Sequence, residues 1–364
     1  MPKKTKTDSG VTPQQQIQAY LEQNKGDHYN FEEERVYTVS SGSLLMDIEM
    51  GGGIKPGVIR ASGVTEGGKT SCGLAFARNF QKMDNSLVIY IKAEGRLSTD
   101  MVERMGIDTS EEKWFVFKCN VYETVIDFMR QMVKDNPSGT RYMFIIDSMD
   151  ALVPRGDLEK GADEALKVGG GALLSSDFLR RMALGLATRG HICYMISQVR
   201  STIKINPYEK TAPQVTNASG GNAALHYSDW ILEFQPRYVK DLITTQPQGK
   251  GDQLGHWCKV VFRKTPNEKT GIAVRYPIRY GRKNGKSIWV EKEVVDMMIA
   301  WEMATAKGAW VTISDEIIEE VKTETGLELK KQHQGVDNLS KYFEEEKEIG
   351  KYLFSKFREV LKKS

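Results

Sequence analysis

Gly63-Val64-Thr65-Glu66-Gly67-Gly68-Lys69-Thr70 reads G-x-x-x-x-G-K-T, the spacing of a phosphate-binding loop. The run before it, Gly57-Val58-Ile59-Arg60-Ala61-Ser62, is apolar-leaning and short enough for a buried strand. Leu74, Ala75, Phe76 and Ala77 behind it open a helical pattern. A loop between strand and helix is the context this motif needs. Gly63, Gly67 and Gly68 let the backbone aim its N–H groups at phosphate oxygens. The helix N-terminus adds partial positive charge at the same place. All eight residues are therefore nucleotide-binding candidates. Lys69 would reach the β- and γ-phosphates, and the Thr70 hydroxyl would ligate Mg²⁺.

Outward from this loop the chain alternates strand and helix. Apolar runs at 87–91, 115–117, 142–146 and 191–196 read as strands buried on both faces, and helical patterns at 99–105, 121–133 and 175–188 separate them. The expected fold class is α/β, with a mostly parallel central sheet flanked by helices. Ligands of such sheets bind beyond the carboxyl ends of the strands. Lys92-Ala93-Glu94, Asp147-Ser148 and Ser197-Gln198 emerge there. Asp147, after four apolar residues, has the placement of a carboxylate that holds Mg²⁺ through water. Glu94 is placed to orient and deprotonate an attacking water. The Gln198 amide both donates and accepts, so it can sense a γ-phosphate. A polar residue ending a strand is often only a cap; the loop at 63–70 is what favours catalytic roles for Lys69, Glu94 and Gln198.

Two connections are long, about 154–171 and 199–222, and both start at this ligand edge. They mix Lys and Arg with glycine and hold few aromatic residues, a pattern suited to tracking a nucleic-acid backbone. Further strands are expected at 230–234 and 259–262, with Arg263 and Lys264 following the second. Residues 246–255 read as a mobile hairpin tip, and a basic run at 275–286 ends the core. A helix is expected over 294–306, and Ile349, Leu353, Phe357 and Leu361 form an amphipathic stripe. At the other end, Thr12-Pro13-Gln14-Gln15 resembles a capping box that opens a short helix with Ile17, Tyr20 and Leu21 on one face.

Composition excludes more than it assigns. No run approaches the ~18 apolar residues of a membrane helix, and the basic N-terminus has no apolar segment after it, so neither a membrane nor a secretory role is expected. The four cysteines have no paired spacing and read as reduced thiols of a cytoplasmic protein. The five histidines give no zinc spacing. A net charge of +3 is too small to argue for nucleic acid by itself.

Taken in order, these motifs resemble the bacterial RecA-type recombinases nearly end to end. The carriers are the segment at 39–48, the loop at 63–70, Ala93-Glu94, the run at 146–152, Ile196-Ser197-Gln198-Val199-Arg200, Gly220-Gly221-Asn222-Ala223 and Lys307-Gly308-Ala309-Trp310. Their order and spacing make the match specific, and between the motifs the similarity is loose, as suits a divergent, phage-type member. The resemblance implies a RecA-like ATPase core at 36–281, preceded by a tail and protomer-docking helix at 1–35 and followed by a small α+β domain at 282–364. It implies ATP and Mg²⁺ as cofactors, and a helical filament of the chain with itself on single-stranded DNA. That filament would pair with homologous duplex in recombination and repair, aided by single-strand-binding and mediator proteins. Ser176, Arg180, Arg200, Gly220, Gly221 and Asn222 fall where the family touches DNA. Lys264, with Arg263 beside it, falls where the family lends a cation to the nucleotide of a neighbouring protomer. Met101 stands where the family stacks an aromatic ring on adenine, Phe262 replaces one expected cation, and His226 replaces an aromatic between protomers. Two other classes stay open: a ring motor or regulatory autokinase on the same core, and a DNA-coating protein that uses ATP only structurally.

Overall fold

The computed structural model describes residues 12–25, 27–95, 97–158, 170–198, 226–246 and 250–363. Strand β1 (Gly57–Gly63) is buried along its whole length. It lies parallel between β5 (Ile192–Ile196) and β6 (Trp230–Phe234). Beyond β5 come β4 (Arg141–Asp147), β2 (Ser86–Lys92) and the edge strand β3 (Trp114–Lys118), all parallel. Beyond β6 the sheet turns antiparallel: β8 (Gln253–Lys264) pairs with β6, with β7 (Leu242–Thr244) and with β9 (Ala273–Arg279). The sheet thus has nine strands and is mostly parallel through its centre.

The continuous apolar strands are sorted by their period of two. Met143 and Ile145 of β4 enter one core with Ile59 and Ala61 of β1. Tyr142, Phe144 and Ile146 enter the other with Val58. The first core is closed by α3 (Lys69–Phe80) and α4 (Thr99–Met105). The second is closed by α5 (Tyr122–Lys134) and α7 (Gly170–Thr188). Both faces of the parallel region are therefore covered, which leaves the carboxyl edge for chemistry.

A third core gathers Leu44 of α2 (Leu44–Met50) with residues of the C-terminal helices: α8 (Val290–Ala300), α9 (Asp315–Thr325), α10 (Val336–Glu345) and α11 (Lys347–Lys363). A small antiparallel sheet, β10 (Ala304–Lys307), β11 (Trp310–Ile313) and β12 (Gln332–Gln334), joins it. Ile349, Leu353 and Phe357 are fully buried there, as their stripe predicts. The helix expected over 294–306 instead starts earlier and ends at Ala300; residues 304–306 belong to β10. Ala304 and Thr305 pair with β11, so tertiary pairing overrides the helical pattern. The connection expected at 154–171 also holds structure. It contains the short α6 (Arg155–Leu158) and the first turn of α7, while 159–169 lie outside the described residues. The expected hairpin tip at 246–255 is already strand from Gln253 onward. At the N-terminus α1 (Pro13–Gln23) has the expected capping box: the Thr12 hydroxyl accepts from Gln15 N–H, and Gln15 Oε1 accepts from Thr12 N–H. Its Ile17 and Tyr20 are 59% and 67% exposed.

Candidate nucleotide and nucleic-acid site

The phosphate loop leaves β1 at Gly63 and enters α3 at Lys69. Gly63 has φ +140°, and a Cβ there would lie 2.3 Å from the Phe234 carbonyl oxygen, so only glycine fits. Gly68, at φ +103°, caps the helix in the left-handed region. The loop is held against the sheet from below, where the Tyr194 hydroxyl donates to the Lys69 carbonyl at 3.1 Å. Lys69 Nζ donates to the carbonyls of Gly63 (3.0 Å) and Val64 (2.6 Å), so its ammonium sits inside the loop. Burial lowers the Lys69 pKa, and the field of Asp147, Asp150 and Glu94 opposes that shift.

The carboxylates come from the neighbouring strand ends. Lys92 is in register with Asp147, which brings the ends of β2 and β4 together. The Asp147 carbonyl accepts from both Ala93 N–H and Glu94 N–H at 3.0 Å. The Thr70 hydroxyl donates to Asp147 Oδ2 at 3.1 Å, and the Tyr90 hydroxyl donates to the same oxygen. The Ser148 hydroxyl donates to Glu94 Oε2 at 3.0 Å, across a cis Asp147–Ser148 peptide. Gln198 follows β5; its N–H donates to Asp150 Oδ2 at 2.6 Å, while its own residue is exposed. Beneath it Arg60 Nε donates to the Ser197 hydroxyl at 3.0 Å. Lys69, Thr70, Glu94, Asp147 and Gln198 thus meet at one edge of the sheet.

Beside the loop lies a cavity of about 310 Å³. Glu66, Gly68 and Cys72 line it from the loop and α3, Met101 and Arg104 from α4, His256 from β8 and Tyr280 from the turn after β9. Met101 thus lines the same cavity as Glu66 and Gly68 of the phosphate loop. His256, Tyr276, Tyr280, Arg279 and Arg282 also line the cavity and were not singled out from sequence. Four of them fall in the basic run at 275–286, but nothing local shows that this run doubles back onto the loop. Burial and the nearby Arg237 push the His256 imidazole down to about 4, so it is neutral at neutral pH.

Arg263 and Lys264 do not follow a strand; they are the last two residues of β8. Arg263 Nε and Nη2 donate to the two oxygens of Glu233 at 2.8 and 2.9 Å. Lys264 Nζ donates to the His226 carbonyl at 2.8 Å. Ser176 and Arg180 lie four residues apart on α7, hence on one face. Arg180 pairs with Asp177 at 3.1 Å, yet its side chain stays 69% exposed. Arg200, Gly220, Gly221 and Asn222 lie outside the described residues. Among the described residues no cluster of three His, Cys, Asp or Glu side chains could hold a metal by itself.

The model of the RecA N-terminal domain matches residues 24–273, well over half of the chain. The chain belongs to the RecA family. It is 28% identical to the RecA protein of Rippkaea orientalis, over 90% of this chain and 84% of that protein. The RecA protein of Nostoc sp. is also 28% identical, over 90% of this chain and 82% of its own length. That of Synechocystis sp. is 26% identical over the same shares. The matched span holds β1 to β8, the loop and the strand-end carboxylates, and ends as β9 begins. Among the described residues no helix is long and apolar enough to cross a membrane.

Proposed function

We propose that this RecA-family chain is a DNA-dependent ATPase of homologous recombination. It would polymerise on single-stranded DNA, pair it with a homologous duplex and exchange strands. The observation that carries the reading is the convergence of Lys69, Thr70, Asp147 and Glu94 at the strand edge where the phosphate loop opens.

The residues fit ATP and Mg²⁺. Gly63 and Gly68 hold positive φ where a Cβ would meet Phe234 and Cys258 of the sheet behind them, so the loop can curl its N–H groups toward a phosphate only because these residues are glycine. The Thr70 hydroxyl and the Asp147 carboxylate, 3.1 Å apart, are hard oxygen donors. Mg²⁺ commonly takes one or two such protein oxygens and completes its shell with phosphate oxygens and water. When bound, the ion would neutralise charge on the triphosphate. Lys69 would bind the terminal phosphates, and Glu94, steadied by Ser148, would orient and deprotonate a water. Gln198 would read the γ-phosphate and pass its state to the segment that follows. The cavity beside Met101 would take the base, with Arg263 and Lys264 supplied to the nucleotide of an adjoining subunit.

The remaining assignments belong to the same proposal. Ser176, Arg180, Arg200, Gly220, Gly221 and Asn222 would contact the DNA backbone. The exposed Ile17 and Tyr20 of α1 would dock that helix on a neighbour, which makes 1–35 the assembly arm, 36–281 the ATPase core and 282–364 the accessory domain. Partner proteins would be single-strand-binding and mediator proteins of the cytoplasm.

ATP turnover measured with and without single-stranded DNA tests the reading. Turnover that rises on DNA, with helical filaments in the electron microscope, is expected. DNA-independent turnover with closed rings would replace the recombinase by a ring motor. Absence of turnover, with filaments intact, would make ATP a structural ligand.

A further inference from the structure

The end of β8 beside β6 carries Phe262, Arg263 and Lys264 in succession. Leu232 pairs with Phe262 and its neighbour Ile231 pairs with Lys264, so Arg263 is the extra residue of a bulge. In an unbroken strand Lys264 would share the face of Phe262, which is fully buried. The bulge breaks that alternation and brings two cations to the edge of the sheet. They are held differently. Lys264 donates to a single carbonyl through a flexible stem. Arg263 meets Glu233 through two parallel bonds of 2.8 and 2.9 Å.

Glu233 is an unusual residue for its position. It stands inside β6, opposite Ser62 and one step before the pairing of Phe234 with Gly63, the first residue of the phosphate loop. It is only 6% exposed. Its Oε1 also accepts from Gln235 Nε2 at 2.7 Å, so the carboxylate is fixed from a second side. The Arg263 side chain keeps 32% of its exposure. A guanidinium has five N–H donors in a rigid fork. Two are spent on Glu233, and among the described residues Nη1 has no partner. The inner edge of the fork is therefore locked while its outer edge faces away from the protomer's own pairings. Whatever it adds to stability, a bidentate pair on a buried carboxylate fixes the direction of the guanidinium.

We infer that Glu233 is the positioning residue for Arg263, holding its guanidinium ready for the triphosphate of an adjoining subunit. The inference rests on the proposed sharing of nucleotide between subunits. It makes arginine, oriented by a carboxylate, the substitute for the cation lost at Phe262. Glu233 itself does not touch the nucleotide.

The test is a double-mutant cycle on the full chain with saturating single-stranded DNA, measuring kcat and KM for ATP. Glu233→Gln keeps the shape and removes the charge that holds the fork. It is expected to lower kcat by about tenfold or more through misplacement of Arg263, with KM changed by less than about twofold. In an Arg263→Ala background the same change is expected to have no further effect. Glu233→Asp, which keeps the charge on a shorter stem, is expected to recover part of kcat; it carries the cycle if the Gln variant fails to fold by circular dichroism. An equal loss in both backgrounds would show that Glu233 merely supports the sheet. A normal kcat for Glu233→Gln alongside an impaired Arg263→Ala would overturn only the role of Glu233. A normal kcat for Arg263→Ala would overturn the shared-site reading at this residue as well.

Discussion

Glu293 on α8 is fully buried and faces the first turn of α2, where Leu44 N–H donates to its Oε2 at 2.8 Å and the Ser43 hydroxyl bonds Oε1. Burial pushes this carboxyl from its ordinary 4.5 up to about 8, against the pull of the two hydrogen bonds. At neutral pH the native protein therefore keeps a proton that the unfolded chain has released. Native-state binding of that proton stabilises the fold below the unfolded value of 4.5, and the contribution is lost as pH rises toward about 8. The slope is about 1.4 kcal/mol per pH unit inside that window. Between pH 6 and pH 8 the loss is on the order of 3 kcal/mol. Glu293→Gln has the hydrogen-bonding shape of the neutral acid and no proton to lose. Urea unfolding at pH 6, 7 and 8 should show the wild type falling behind the variant by that amount, with the two close together at pH 6. The charges of Asp47 and Asp296 also raise Glu293, and burial raises both of these carboxyls, so the difference reports Glu293 together with its coupling to them. A gap that stays constant from pH 6 to pH 8 would refute the argument that Glu293 is protonated in the native fold.

Glu94→Gln should retain ATP and DNA binding and lose turnover by on the order of 10²- to 10⁴-fold, the usual contribution of a general base; a normal rate in a steady-state assay would remove Glu94 from that role. Arg180→Ala should weaken binding to single-stranded DNA and lower the slope of log affinity against log salt by about 0.7, one phosphate contact. An unchanged slope in a fluorescence titration would take Arg180 off the DNA path. Gly73→Ala places a new Cβ 2.7 Å from the Tyr194 ring that braces the phosphate loop. Overpacking there should cost about 1–3 kcal/mol in denaturant unfolding, and a variant as stable as the wild type would show that the ring can retreat.

The parallel core was legible because its information is local. Each strand is a short apolar run, both faces are buried, and the polar residue just past each run lands at the carboxyl edge by topology alone. Thr70 and Asp147 are 77 positions apart in sequence, yet each could be placed from its own strand. The antiparallel part was less legible. A bulge decides where Arg263 and Lys264 point, and no residue type marks a bulge here. Glu233 looked like one polar position in an apolar strand, and only the pairing of β6 with β8 reveals its partner.

The cavity beside the phosphate loop was hidden for a related reason: its wall is assembled from segments that meet only in the folded chain. Arg279 and Arg282 line it, and both are ion-paired with Glu344 of α10, the Arg282 contact at 3.9 Å. Glu344 also accepts from Trp289 Nε1 at 2.8 Å, and the Arg279 guanidinium lies 4.6 Å over the Trp289 ring. The rim of this cavity is thus fastened to the C-terminal body through one carboxylate. A change on α10 can alter nucleotide affinity without touching the cavity. The consequence is measurable: Glu344→Gln should shift ATP affinity while leaving the phosphate loop intact, because it frees two rim cations toward the cavity. If affinity for ATP and for inorganic triphosphate both stay at wild-type values, the rim is held by packing on Trp289 and not by charge.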